Sequence, residues 1–375
     1  MYVISYSSVI SACEKCAEWE RALEFLNEME EKGIQPDVYS YSSAIAACEK
    51  AAKWEEAVKL LSKMTDEGVE PNVISYSSVI SACEKCAEWE KALEFLNEMK
   101  EVGIQPNVVS YSSAISACEK GRQADVAISL LSEMKVEGIQ PDVYSYSSTI
   151  AACGEGGANY TDTALSLLAE MKAEGIQPNV LSYSSAISAC DKGGAKYTDT
   201  ALSLFSEMEK AGLKPDGVAY SAITKVCFDS NRYWEALKKA REAADLGIEN
   251  NDQPVCIDVS TENGLPKWDL HDLTEATACM LLSDALLCLA ESHSDETPPN
   301  FQDIIVVTGK GLNTEDPDGP VLREKVPAFL NEIAGLEVTA IEGNEGRFLI
   351  RAASLEEWVA SGAYNKFRSL LDDKQ

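Results

Sequence analysis

The stretch VYSYSSAIAACEKAAKWEEAVKLLSKMTDEGVEPN, residues 38–72, decides the fold, because the chain repeats it. Tyr41 recurs as Tyr6, Tyr76, Tyr111, Tyr146, Tyr183 and Tyr220, and Cys48 as Cys13, Cys83, Cys118, Cys153, Cys190 and Cys227. The step is 35 residues four times and 37 twice. Such a period belongs to a solenoid, where each unit buries its apolar face only against its neighbours. The expected fold is therefore an α-solenoid of seven helix-turn-helix repeats. Within 38–72, Ser40 is the expected cap of a first helix over 41–51, whose apolar face carries Tyr41, Ala44, Ile45 and Cys48. A second helix over 54–66 aligns Trp54, Ala57, Leu60, Leu61 and Met64. Gly68 stops it and Pro71 prevents its resumption. Copies five and six are lengthened by Gly-rich turns at 154–161 and 193–198. Copy seven is degraded: Gly247 lacks a following proline, and the second helix is polar at Lys238, Lys239 and Arg241. A terminal unit needs this where one face meets water or another domain.

The chain has 375 residues, a length a solenoid reaches because its core grows with each repeat. No run of 18 apolar residues exists, so no membrane insertion is expected. Seven of the twelve cysteines are the repeat cysteine, and their helical phase reads as packing in a reducing compartment. Cys13-x-x-Cys16 and Cys83-x-x-Cys86 resemble half zinc sites, but each lies within one helix with no second pair nearby, so no metal is assigned. No apolar or Arg-rich leader precedes the first copy, so the chain reads as a mature form or an excerpt. The formal charge is −30, with −16 in residues 1–250 and −14 in residues 251–375. A nucleic-acid binder usually carries the opposite sign.

The repeat resembles the pentatricopeptide repeat family, whose units are of this length, across residues 3 to about 251. In that family each unit reads one base of single-stranded RNA through its fifth and last residues. The resemblance then pairs Ser7 with Asp37, Ser42 with Asn72, Ser77 with Asn107 and Ser112 with Asp142. It continues with Ser147 and Asn179, Ser184 and Asp216, and Ser221 and Asn251. The chemistry suits the role, since Asn offers donors and an acceptor while Asp offers acceptors only. The family code implies a purine-rich target near G-A-A-G-A-G-A. The second residue of each unit is implied as a base-flanking wedge: Ile4, Tyr39, Ile74, Val109, Tyr144, Leu181 and Val218. An aromatic there can stack on a base. Phosphate contacts are implied for Lys15, Lys50, Lys85, Lys120 and Lys192, a ladder broken by Glu155 and Asp229 and flanked by Glu14, Glu49, Glu84, Glu119 and Asp191. The plainer reading of the same serines, Asn and Asp is helix capping and turn formation.

After about residue 252 the pattern changes to strands over 267–270, 303–307, 337–341 and 347–352, alternating with helices over 274–291 and 322–334. This reads as a small α/β domain, a two-layer sandwich, closed by a helical tail. Trp268-Asp269-Leu270-His271 and Thr308-Gly309-Lys310-Gly311 together resemble the small MutS-related domain, and the combination resembles the PPR-SMR class. The expected domains are 1–251 (repeats), 252–264 (linker), 265–352 (small MutS-related domain) and 353–375 (tail). Some members of that family cleave nucleic acid, which would make Asp269, His271 and Lys310 catalytic. Gly309, Gly311 and Arg323 would then approach phosphate. Asp269 and Asp272 repel phosphate unless a divalent ion such as Mg2+ intervenes. Trp268 and Asp272 depart from the family's usual Leu and Gly. Asp269 and His271 also suit the plainer role of capping the next helix. Two functions follow. One is an RNA-binding protein of plastid or mitochondrion, with or without endonuclease action. The other is a scaffold whose groove holds a protein partner in an organellar complex.

Overall fold

The computed structural model describes residues 2–250, 253–254, 257–270, 273–292, 301–308, 321–341 and 346–371. The protein is an α-helical solenoid of paired helices followed by a small mixed α/β domain. It divides into two compact units, 1–189 and 190–375.

The first unit holds α1 (Tyr2–Lys15), α2 (Trp19–Glu31), α3 (Val38–Lys50), α4 (Trp54–Asp66), α5 (Val73–Lys85) and α6 (Trp89–Glu101). It continues with α7 (Val108–Lys120), α8 (Ala124–Val136), α9 (Val143–Glu155), α10 (Thr161–Ala173) and most of α11 (Val180–Gly193). The first helices α1, α3, α5, α7 and α9 stack in a row, and α2, α4, α6 and α8 each pack between their own first helix and the next. Tyr41, Ile45, Cys48, Ala57 and Met64 are sealed from solvent, as the periodicity predicts. Gly68 ends α4 in the left-handed region at φ +75°, and the Val69 N–H donates to the Met64 carbonyl at 3.0 Å.

The helix start differs from expectation. Each first helix begins near the first residue of the unit, three residues earlier than read, and its cap is Asp37, not Ser40. Ser40 is fully buried and both its N–H and its hydroxyl donate to Asp37 Oδ1. Both residue types cap well; the register that buries Ser40 beneath the cap decides between them. Asn72 with Ser75, Asn107 with Ser110, and Asp142 with Ser145 close reciprocal capping boxes.

The second unit holds α12 (Thr198–Lys210), α13 (Gly217–Asp229) and α14 (Tyr233–Asp245), then the α/β domain. After the short pair β1 (Glu249–Asn250) and β2 (Gln253–Pro254) come β3 (Asp258–Glu262), β4 (Leu265–Asp269), α15 (Glu275–Ser292) and β5 (Ile304–Val307). Next are α16 (Val321–Phe329), β6 (Thr339–Ala340), β7 (Arg347–Ile350), α17 (Ala352–Ala360) and α18 (Ala363–Leu371). The sheet order is β3-β4-β5-β7-β6, with β4 and β5 parallel and the other pairs antiparallel. All of β5 is buried, as a central strand's should be. Strand β3 lies within the stretch read as a linker. Asn263 and Gly264, at φ +53° and +81°, turn it into β4, a two-residue hairpin signal that the sequence carried openly.

Within this unit the polar last hairpin meets the α/β domain. Phe329 contacts the rings of Phe228, Tyr233 and Phe367, and Arg241 pairs with Asp284. A face that would otherwise require another repeat is closed this way. No described helix is long and apolar enough to cross a membrane.

Removing one cap tests this account of the repeat. Asn72→Ala is expected to lower unfolding stability by about 1 kcal/mol, read as a lower denaturant midpoint at unchanged m-value.

Candidate nucleic-acid interface

The cap fixes the last residue of each unit. Oδ1 of Asp37, Asn72, Asn107, Asp142 and Asn179 accepts the N–H of Ser40, Ser75, Ser110, Ser145 and Ser182 at 2.9 to 3.0 Å. In the second unit Asp216 takes the Ala219 N–H at 2.9 Å. An N–H demands an oxygen, so the amide of each capping Asn can face only one way. Its Nδ2 points away from the helix start. Among the described residues, no hydrogen bond reaches Nδ2 of Asn72, Asn107 or Asn179, or Oδ2 of Asp37 or Asp142. Asn107 is exposed and the other four are half-buried.

The fifth-residue serines converge on the same caps. Ser7, Ser77, Ser112 and Ser147 donate to Asp37, Asn107, Asp142 and Asn179 at 3.2 to 3.4 Å. Ser7, Ser77 and Ser147 also meet the hydroxyls of Ser40, Ser110 and Ser182 at 2.7 to 2.9 Å. Four of the pairs read from sequence are thus in contact. Ser42, Ser77, Ser147 and Ser184 are buried, and Ser7, Ser112 and Ser221 are half-buried. The Ser42 hydroxyl is buried and meets no partner among the described residues. Asn251, the mate of Ser221, lies outside the described residues. Sequence reasoning took the buried third-residue serine for the cap itself, when it is the residue that holds the cap. The Asn/Asp-x-x-Ser spacing in every capping box was its signal.

The flanking positions form a stripe of uncovered apolar side chains. Exposure is 73% at Ile4, 70% at Tyr39, 55% at Ile74, 53% at Val109, 67% at Tyr144 and 42% at Leu181, with 48% at Val218 in the second unit. From Tyr39 to Val218 each of these residues stands two positions after a cap, whereas the exposed Val9, Val102, Val136 and Leu246 lie off this register; a patterned apolar surface of this kind can receive a ligand.

The lysine ladder is occupied. Lys50, Lys85 and Lys120 pair with Glu14, Glu49 and Glu84 of the preceding repeat at 3.0, 3.0 and 2.6 Å. Where Asp229 replaces the lysine, Lys225 one turn earlier reaches Asp191 at 2.8 Å. Lys15 and Lys192 have no ion pair among the described residues. Where Glu155 replaces the lysine, Glu119 loses its cross-repeat cation. Burial pushes its carboxyl above the ordinary value, helped by Glu84 and Glu155 and opposed by a Ser148 hydrogen bond and Lys120. Burial likewise pushes the thiols of Cys48, Cys83, Cys118, Cys153, Cys190 and Cys227 up to about 12, so they pack as neutral groups.

In the α/β domain, Asp269 ends β4 beside Val307 of the parallel β5. Trp268 turns into the core, which leaves Lys267 and Asp269 on the other side, Nζ to Oδ2 3.5 Å. Arg323 lies half-buried in the first turn of α16. His271, Asp272, Gly309, Lys310 and Gly311 lie outside the described residues. Among the described residues no three His, Cys, Asp or Glu side chains gather to hold a metal. Asp269 has the Lys267 ammonium at 3.5 Å, and the carboxylate and imidazole read beside it, Asp272 and His271, are among those outside the described residues.

A model of the pentatricopeptide repeat domain matches residues 24–86, 59–121 and 129–194, and a model of the PPR repeat matches 4–34 and 109–139. No curated protein sequence matches the chain. Among solved structures, the pentatricopeptide repeat protein PPR10 in complex with an 18-nucleotide psaJ RNA element is similar at TM-score 0.59 and 17% identity, over 98% of this chain and 46% of that one. PPR10 from maize matches at TM-score 0.44 and 22% identity, over 77% and 43%. The PPR domain of Arabidopsis thaliana protein-only RNase P 1 in complex with tRNA matches at 0.43 and 19%, over 47% and 92%. The chain spans less than half the length of the PPR10 chains it resembles.

The raised Glu119 pKa has a definite sign in stability. The folded state holds the proton more tightly than the unfolded state, so the charged carboxylate destabilises the fold above its folded pKa. That penalty fades as pH falls through the folded pKa and is gone below the ordinary value of 4.5. Glu119→Gln is therefore expected to melt higher than the parent at pH 7, with the two melting curves converging near pH 4.

Proposed function

We propose that this chain, which belongs to the pentatricopeptide repeat family, binds single-stranded RNA along its repeats and reads one base per repeat through the outward atom of each cap. The observation that carries this reading is the ladder of Asp37, Asn72, Asn107, Asp142 and Asn179. Each commits Oδ1 to its helix and leaves its second atom unbonded among the described residues. Adenine presents N1 as an acceptor, which Nδ2 of Asn satisfies. Guanine presents N1–H and N2–H, which Oδ2 of Asp accepts. With Asp216 and Asn251 completing the order, the preferred target is G-A-A-G-A-G-A. The exposed stripe from Ile4 onward separates successive bases. The RNA-bound state of PPR10, which shares the fold, supports RNA as the ligand.

The electrostatics make this a binder that relies on bases. The chain carries −30, and Lys50, Lys85 and Lys120 already serve carboxylates. The same facts favour the second reading, a scaffold whose repeats hold a protein partner. The repeats would choose the RNA site, and the C-terminal domain, of the small MutS-related type, would act beside it. The parallel β4–β5 pair bridged by α15, with Asp269 at the strand end, supports that assignment. Family resemblance supports a site of action in plastid or mitochondrion.

Binding to G-A-A-G-A-G-A RNA at low salt is expected to exceed binding to a pyrimidine RNA of equal length. The log–log salt slope should be no steeper than about 1.4, for two free lysines at about 0.7 each. Equal binding to both RNAs leaves the scaffold reading. Asp142→Asn keeps the cap and exchanges an acceptor for a donor. It is expected to shift preference at the fourth base from G to A by about 1 kcal/mol, or roughly fivefold. If the domain cleaves RNA through Asp269, Asp269→Asn abolishes cutting of that RNA; equal cleavage by parent and variant removes Asp269 from the site.

A further inference from the structure

Behind each cap stands the third residue of the next unit: Ser40, Ser75, Ser110, Ser145, Ser182 or Ala219. All six are sealed from solvent, so none can touch RNA. Four of the serines give their cap a second hydrogen bond beside the backbone one. The hydroxyls of Ser40, Ser110, Ser145 and Ser182 donate to Oδ1 of Asp37, Asn107, Asp142 and Asn179 at 2.8 to 3.0 Å. With the N–H of the same serine, both lone pairs of Oδ1 are then engaged. The serines are themselves anchored. Ser110 accepts the Asn107 N–H at 3.3 Å and meets the Ser77 hydroxyl at 2.8 Å, and Ser182 accepts the Asn179 N–H at 3.1 Å and meets Ser147 at 2.7 Å. Two caps differ. The Ser75 hydroxyl donates to the Asn72 backbone carbonyl at 2.9 Å and lies 3.4 Å from Oδ1, which takes the Ile74 N–H at 2.9 Å as its second donor. At Asp216 the third residue is Ala219, which supplies the N–H at 2.9 Å and has no hydroxyl.

We infer that the buried third-residue serine is a positioning residue that sets how sharply each cap discriminates between bases. This rests on the RNA reading above. The hydroxyl fills the capping oxygen and fixes the side chain, so a base meets the outward atom alone, already oriented. Without the hydroxyl, Oδ1 keeps a lone pair that the helix start does not use, and the carboxylate turns more freely about its remaining contact. A looser Asp accepts the N6 amino group of adenine as well as the N1–H and N2–H of guanine. Discrimination is then uneven along the RNA. Asp37 and Asp142 read nucleotides one and four sharply, because Ser40 and Ser145 hold them. Asp216 reads nucleotide six loosely, because Ala219 stands behind it. At nucleotide two the Ile74 N–H does the work of the hydroxyl, so Ser75 is dispensable for reading there.

The test is competition anisotropy with the full chain, comparing G-A-A-G-A-G-A RNA with strands that exchange G and A at one nucleotide. Ser145→Ala should cut the preference for G over A at nucleotide four about threefold, with the preference at nucleotide one unchanged. Ala219→Ser should raise the preference for G over A at nucleotide six about threefold. Ser75→Ala separates reading from folding. It empties an equivalent capping box and should lower the melting temperature as Ser145→Ala does, yet leave the preference for A over G at nucleotide two unchanged. A serine that served only the fold would weaken all these RNAs alike in both variants. With a parent that prefers the purine RNA over a pyrimidine strand, an unmoved ratio at nucleotide four in folded Ser145→Ala overturns the inference and leaves the RNA reading standing. An unmoved ratio at nucleotide six in Ala219→Ser does the same, and that variant decides the matter if Ser145→Ala does not fold. A parent with no such preference overturns the RNA reading and the positioning role together.

Discussion

One contact organises each repeat: the oxygen of an Asn or Asp side chain accepting the N–H three residues into the following helix. It satisfies a helix start that would otherwise leave donors orphaned. It fixes the side chain's rotamer, so on the proposed RNA reading its second atom would be oriented before binding. It also sets the phase of the stripe, because the flanking residue always lies two positions on. Capping and base reading, which compete as explanations when only sequence is at hand, would on the proposed function use different atoms of one side chain.

Charge is managed by a second repeating contact. The ladder lysine of one unit reaches back 36 residues to a glutamate, one residue more than the repeat period. These pairs are partly exposed, and each contributes little to stability by itself. They neutralise the lysines that the family resemblance assigns to phosphate, and on the proposed RNA reading affinity would be left to hydrogen bonds and apolar contact with the bases. Where the ladder breaks, at Glu155, the half-buried Glu119 is left with a raised pKa.

Much of this was legible in the sequence. The Tyr41 and Cys48 periods gave the helix pairs and the buried face, and the copy-seven departures at Arg241 foretold a terminal unit, now seen against Asp284. Three features were not read correctly or at all. Ser40 and Asp37 are both good caps three residues apart, and only burial tells which is beneath the other. The Lys–Glu ladder joins neighbouring units, so no single unit displays it. The Asn263-Gly264 turn was visible, but residues 252–264 were read as a linker. Of the proposed chemistry in the C-terminal domain, Asp269 stands at a strand end with Lys267, and its expected partners His271 and Lys310 lie outside the described residues.

The most direct measurement of the central claim is NMR of the Asn side-chain amides during titration with G-A-A-G-A-G-A RNA. The Nδ2 protons of Asn72, Asn107 and Asn179 should shift and gain protection from exchange, while the backbone N–H groups of Ser75, Ser110 and Ser182 keep their cap hydrogen bonds. Saturable RNA binding that leaves those three side-chain amides unmoved would contradict it.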